Sequence, residues 1–293
     1  MWSSPKVFHV GMYAILLFFT VCFLLPPLLI VTNSFMSSFE LANRYSRDFT
    51  PANSFSGMGV YTVHFVQFSL VPSVVSVKQY VSLFFVTPFY LGLFLNSVKL
   101  TVPIVLGLIL VSAPAAYVFE VAEFRFKEVL FFIYIVIMLL PLQVTIVPNF
   151  IIAQFIHTNG TYLAIILPAI FNPFGVFLIR QFLKGIPHEY IEAARIDGAG
   201  HGRAFLWVIL PLAKGAVASL AILMFVEYWN VVDQAIVFIQ DITAEPLSSY
   251  MSHMSGDMTV IFALSVFYML PVVLVFLFGQ EYMVEGIQLS GIK

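Results

Sequence analysis

Tyr90 to Phe119 reads YLGLFLNSVKLTVPIVLGLILVSAPAAYVF, an apolar stretch whose only charge is Lys99. A helix needs about 20 mainly apolar residues to cross the hydrocarbon of a bilayer, and this stretch exceeds that length. Working outward, five further windows qualify: Val10 to Val31, Val129 to Val147, Tyr162 to Ile179, Phe205 to Val226 and Val260 to Phe278. The whole composition agrees with them. Of 293 residues 61% are hydrophobic and 10% charged, with 32 phenylalanines, and the mean hydropathy is +0.99. A soluble protein carries about 25% charged residues, so this chain lacks the charge to coat a water-exposed globule. The expected fold is an all-α integral membrane protein with six transmembrane helices. The first window follows Lys6, is longer than the apolar core of a signal peptide, and has no small-x-small cleavage site after Pro26-Pro27, so it reads as a retained helix. The 13 basic and 15 acidic side chains give no reason to invoke nucleic acid, and the single cysteine, Cys22, excludes an internal disulfide or a multi-cysteine metal site.

Lysine and arginine bias in the loops sets orientation. Lys6, Arg125, Lys127, Arg180, Lys184, Arg195, Arg203 and Lys293 fall on one side; Arg44, Arg47 and Lys78 are spread over a long first loop on the other. Both termini are therefore expected in the cytoplasm. The boundaries that follow are a cytoplasmic N-terminus at 1–9, a first span at 10–31, an extracytoplasmic loop at 32–89, a five-helix core at 90–279 that includes a cytoplasmic loop at 180–204, and a cytoplasmic tail at 280–293. The first loop is a surface for a delivery partner or a packed cap, with the cap favoured. Pro103, Pro114, Pro141, Pro168, Pro173, Pro211 and Pro271 fall within or beside spans, which is the pattern of broken helices around an internal path or of the ordinary tolerance of such helices for proline.

Several chemistries are missing. No lysine is followed by serine or threonine, so there is no G-x-x-x-x-G-K-[ST] phosphate loop, and ATP hydrolysis must come from another chain. His188-Glu189-Tyr190-Ile191-Glu192 starts like a zinc-protease H-E-x-x-H but ends in glutamate, one ligand short. Ion-coupled carriers keep carboxylates at membrane depth, and no carboxylate lies inside the six windows. Lys214 is expected to snorkel to the interface. Lys99, about ten residues or 15 Å into its helix, either faces the bundle interior or reaches a polar neighbour.

The fourth loop departs most from the rest. Pro187 suits the first position of a helix, Glu189 its first turn, and Gly198 the left-handed residue that ends it. The result is a short amphipathic helix over 187–197, outside the membrane between two spans. Ala193 and Ala194 form a small-residue patch, and Glu192 and Arg195 occupy neighbouring positions. Such a helix docks into a groove on a partner or rests on lipid headgroups.

Glu192-Ala193-Ala194, Gly198 and Val208-Ile209-Leu210-Pro211 together resemble the signature E-A-A-x3-G-x9-I-x-L-P of permease subunits from ATP-binding-cassette (ABC) importers, with Val208 in place of isoleucine. The stretch Ile186 to Ala199 is most similar to the carbohydrate importers, in the second-permease branch of the maltose-type group. Leu95-Asn96-Ser97, Pro173 to Phe182, Tyr228-Trp229-Asn230, and the tail from Gln280 to Gly286 and Gly291 to Lys293 extend the resemblance over about two thirds of the chain. Gly215 stands where a second proline is common and Glu281 where a basic residue is usual; the first loop is longer and more aromatic than is typical.

The resemblance implies a type I importer permease fold in the bacterial cytoplasmic (inner) membrane. It implies a second permease subunit, two ATPase subunits that bind ATP and Mg while this chain holds no cofactor and catalyses nothing, and an extracytoplasmic substrate-binding protein. Glu189, Glu192, Ala193, Ala194, Arg195, Asp197 and Gly198 would form the element that couples to the ATPases, with Glu192 meeting a basic residue there. Candidates for the substrate path are Asn96, Gln143, Asn172, Tyr228, Trp229 and Asn230, with Tyr268 beside them; polar groups of this kind also serve simply to hold membrane helices together. The expected cargo is a carbohydrate, in particular an oligosaccharide. A non-sugar ABC permease and a secondary carrier are the competing readings.

Overall fold

The structure, a computed structural model, describes residues 5–45 and 70–291, with side chains from 9 to 45 and 70 to 282. Ile292, Lys293 and residues 46–69 of the first loop, Arg47 among them, lie outside the described residues, as does the side chain of Lys6. The described residues are helical, joined by turns, with one isolated bridge between Met36 and Val75.

The chain divides into two compact units. One consists of Met1–Leu91 and Met254–Met269, the other of Gly92–His253 and Leu270–Lys293. In the first, α1 (Pro5–Asn33) leads into α2 (Ser38–Tyr45), and a short α3 (Lys78–Val81) runs on as a π-helical turn to Val86. Residues 9 to 26 of α1 are all exposed, which for an apolar helix means lipid or another subunit. Between α2 and α3 lies a polar knot, in a unit where Met36, Leu41 and Leu83 are fully buried. Glu40 accepts from the backbone N–H groups of Ser73 at 2.8 Å and Val74 at 3.2 Å and pairs with Arg44 at 2.8 Å. Gln79 is buried and donates to the carbonyls of Ser34 and Ser76. Burial opposes ionisation of Glu40, but these donors outweigh it and hold its carboxyl below the ordinary value.

The second unit holds the larger core. It begins with α4 (Phe89–Val121), whose Leu100, Ile104 and Leu108 recur at a spacing of four and are fully buried. Then come α5 (Lys127–Met138), α6 (Leu142–Phe155), α7 (Leu163–Ile170), α8 (Pro173–Leu183), α9 (Glu189–Ile196) and α10 (His201–Ala204). A π-helical turn joins α10 to α11 (Leu210–Leu212), and α12 (Lys214–Trp229), α13 (Asp233–Phe238), α14 (Leu247–His253) and α15 (Met258–Gly291) complete the chain. Ile165 and Ala169 of α7, Ile179 of α8, Leu220 and Met224 of α12 and Phe238 of α13 join α4 in one apolar cluster. Gly175 lets α8 approach α4: a Cβ there would overlap Ser112 Oγ and come within 2.8 Å of Leu108 Cδ2.

Four helical segments are long and apolar enough to cross a membrane, near residues 9–33, 89–121, 163–183 and 258–282; two bent pairs bring the number to six if each pair is one span. The windows expected at Val129–Val147 and Phe205–Val226 are therefore not straight helices. Between α5 and α6 the chain turns by 100°, and between α11 and α12 by 73°. Pro141 accounts for the first break: it has no N–H to continue α5 and sits extended at φ −68°, ψ 149° as the cap of α6. Pro173 opens α8 as its first residue, with Asn172 Oδ1 accepting from Phe174 N at 2.9 Å. By contrast Pro103, Pro114, Pro168 and Pro271 lie inside continuous helices, so proline marks a break in only some of the places where it occurs.

Candidate functional site

The helix of the fourth loop forms, two residues later than its proline suggests. The carbonyl of Pro187 accepts from Tyr190 N at 3.3 Å and that of His188 from Ile191 N at 2.9 Å and Glu192 N at 3.1 Å, and α9 covers Glu189 to Ile196. It ends as expected. Gly198 takes φ +80°, and Ala199 N closes back on the carbonyl of Ala194 at 2.9 Å. Ile191 and Ala194 are buried against the bundle, whereas Glu189, Glu192, Ala193, Arg195, Asp197 and Gly198 are exposed. The pair of alanines is thus divided, one facing inward and one outward. Tyr190 and Ile196, 51% and 85% exposed, stand on the outward side with Ala193 and give α9 an apolar strip left uncovered among the described residues. Sequence inspection picked out the charges and missed this strip, although the spacing of 190, 193 and 196 was the available signal.

Behind α9 lies a charged cleft of 660 Å³. Glu120, Glu123, Lys127, Glu128, Arg180, Lys184, His188, Glu192 and Arg195 are among its lining residues. Arg180 is its anchor, with only 3% of its surface exposed. Its Nη2 donates to Glu128 Oε1 at 2.7 Å and its Nε to Glu120 Oε2 at 3.3 Å. The Phe131 ring lies 3.8 Å from the guanidinium carbon. Lys127 Nζ donates to the carbonyl of Glu120 at 2.9 Å, fastening the start of α5 to the end of α4.

The residues expected along a substrate path do not converge on one site. Asn96 is buried and donates to the carbonyls of Thr243 at 2.8 Å and Glu245 at 3.1 Å, holding the segment before α14. Trp229 is 1% exposed and packs against the rings of Phe94 and Phe225. Both side chains are thus engaged within the chain. Asn172 caps α8 and reaches the Tyr228 hydroxyl at 3.4 Å. Tyr228 and Asn230 do share a pocket of 290 Å³, with Leu142, Glu227, Asp233 and Gln234, and the exposed Gln143 follows Leu142 in the first turn of α6. Tyr268 lies half-buried in α15.

Glu227 and Asp233 were not anticipated. Glu227 lies one residue beyond the apolar window that ends at Val226, in the last turn of α12 rather than in the loop that follows, and it leaves the middle of the span without a carboxylate. Lys99 is exposed rather than interior. It stands 21 residues from Glu120 along α4, about 31 Å by helical rise and close to the hydrocarbon thickness. Lys214 is exposed at the bend that opens α12.

A chain of membrane-length helices, two of them bent, with a short amphipathic helix and a charged cleft between spans, has the architecture of a membrane permease subunit. It belongs to the family described as binding-protein-dependent transport system inner membrane component, whose family model matches residues 109–288. It is 28% identical over 264 residues to the arabinooligosaccharides transport system permease protein AraQ of Halalkalibacterium halodurans, covering 89% of this chain and 92% of that one. To the sn-glycerol-3-phosphate transport system permease protein UgpE of Yersinia pestis it is 33% identical over 207 residues, covering 69% and 73%. A solved chain from a bacterial ABC transporter involved in the import of the acidic polysaccharide alginate superposes with a TM-score of 0.78 at 22% identity, over 96% of this chain and 99% of that one. That last likeness speaks to the fold: the type I permease of ABC importers. Members of this family are non-enzymatic membrane subunits, with ATP hydrolysis left to partner chains.

Proposed function

We propose that this chain is one of two transmembrane subunits of an ATP-driven importer of oligosaccharides, and that α9 is the element through which ATPase closure moves it. The observation that carries this reading is α9 itself, held to the bundle by Ile191 and Ala194 while Tyr190, Ala193, Ile196 and the surrounding charges face outward, and ended by Gly198 at φ +80°. A helix anchored on one face and bare on the other suits docking into a partner's groove. Glu192 meets a basic side chain of the ATPase in a charge-assisted contact. The ATPases bind ATP and Mg, a binding protein delivers the solute from outside, and the two permeases rock between inward- and outward-facing states. Both termini lie in the cytoplasm of a bacterial cell, and the boundaries read from the loops apply. Tyr228 and Asn230, with Glu227 and Asp233, contribute polar groups on the solute's route. Kinship with a permease named for arabinooligosaccharides supports the sugar; kinship with one named for sn-glycerol-3-phosphate favours, as a second reading, a small phosphorylated polyol.

Purification from the native membrane tests the assembly: an ATPase and a second permease should co-elute, and a stable chain alone would refute it. Reconstitution with a panel of neutral oligosaccharides and sn-glycerol-3-phosphate then decides between the solutes by stimulated ATP hydrolysis. Import that continues without ATP would return the chain to the class of secondary carriers.

A further inference from the structure

We propose that Arg180 is a positioning residue for coupling, a guanidinium hub that makes the ends of α4, α5 and α8 move with α9 as one body. The inference rests on the reading of α9 as the coupling element. Arg180 lies in the last turn of α8, nine residues before α9 begins. Its planar fork reaches Glu120 in the last turn of α4 and Glu128 in the first turn of α5, and it stacks on Phe131 of α5. One side chain therefore pins three helices, each by a directional contact that a point charge on a flexible stem would not reproduce.

Stability alone is a poor reason for this arrangement. A buried cation is costly unless fully paired, and Arg180 is not fully paired: Nη1 is buried without a hydrogen-bond acceptor among the described residues. Glu128, moreover, leaves 72% of its side chain exposed and gains little from shielding. What the contacts do provide is fixed geometry beneath α9, because Ile191, Glu192 and Arg195 line the same cleft as Arg180, Glu120 and Glu128.

The test is a distance measurement in the full transporter. With Cys22→Ser as background, nitroxide labels are placed by Glu189→Cys on α9 and Glu123→Cys between α4 and α5, both exposed positions. Their separation is read by pulsed electron resonance in nucleotide-free and ATP–vanadate-trapped complexes. The hub requires a separation constant to about 2 Å between the two states, and a change of about 5 Å or a broadened distribution in Arg180→Gln, the scale of a helix slipping past its neighbour. Arg180→Lys, which keeps the charge and loses the fork, should fall between. If Arg180→Gln does not assemble, Glu128→Gln carries the test, since its side chain is 72% exposed and its loss leaves no buried cavity; it should broaden the distribution likewise. A separation that changes in the wild type, or that stays constant in every variant, overturns the proposal. The α9 label also reports on the underlying reading: mobility at Glu189 that is indifferent to the ATPases refutes α9 as their docking element, whereas restricted mobility with a drifting pair refutes the hub alone.

Discussion

The polar cluster behind α9 and the one around Asn96 and Tyr228 lie on the same unit, about 36 Å apart along α4 by helical rise from Asn96 to Glu120. They use polarity in opposite ways. Near Asn96 the side chains are consumed by the backbone: Asn96 by Thr243 and Glu245, Ser97 by Leu247 N, Thr101 by the carbonyl of Tyr228. Behind α9 a single buried arginine holds two carboxylates while Glu192, Arg195 and Lys184 stay exposed. In hydrocarbon a polar group must find a partner inside the chain, so it becomes structure. At the water interface a charge can stay open, so it is available to a partner. Membership of the polar residue class therefore says little about function until the site of each residue is known.

The sharpest way to break the contrast is to disturb the crossing between the clusters. Gly175→Val places methyl groups where Ser112 and Leu108 already are; it should cost about 3 kcal/mol and empty the membrane of folded chain, as read by thermal unfolding in detergent. Gly198→Val comes next. No neighbour obstructs it, but a β-branched residue at φ +80° is strained by about 1–2 kcal/mol. Import per ATP hydrolysed should fall about tenfold with insertion intact, and an unchanged ratio would remove α9 from the coupling role.

Asn96→Ala takes donors from two loop carbonyls at about 0.6 kcal/mol each. It should speed hydrogen exchange over residues 241–247 without altering solute preference; a changed preference would return Asn96 to the substrate path. Glu227→Gln is the converse, exposed in its pocket and expected to shift the solute concentration for half-maximal import about threefold with no loss of stability. The smallest effect concerns Glu40 in the other unit. Its carboxyl is held below the ordinary 4.5, so its contribution is complete above that value and lost as pH falls through the lower folded value. Exchange at residues 73 and 74 should therefore rise only in acid, and Glu40→Gln should raise it at neutral pH and flatten the dependence.

Much of the scaffold was legible because lipid imposes a simple rule. Length and charge scarcity locate the spans, and the turn after α9 follows from a glycine at the right offset. The angles at the breaks were not legible: Pro141 announces a break, but 100° is settled by what the two pieces pack against. Glu227 escaped because a hydropathy window stops at the first charge, whereas the helix continues through it. Arg180 looked like one more cytoplasmic charge, since its partners lie 60 and 52 residues away in sequence.

The sequence by itself determined that this chain is a membrane permease with a short helix in its fourth loop, because apolar length, a proline, a glycine and a spaced signature are local properties. Only the tertiary structure decided which polar residues are free to act. Hydrogen bonds and ion pairs between distant segments consume some and leave others open, and a side chain's partners are fixed by the packing of helices rather than by its neighbours in the chain.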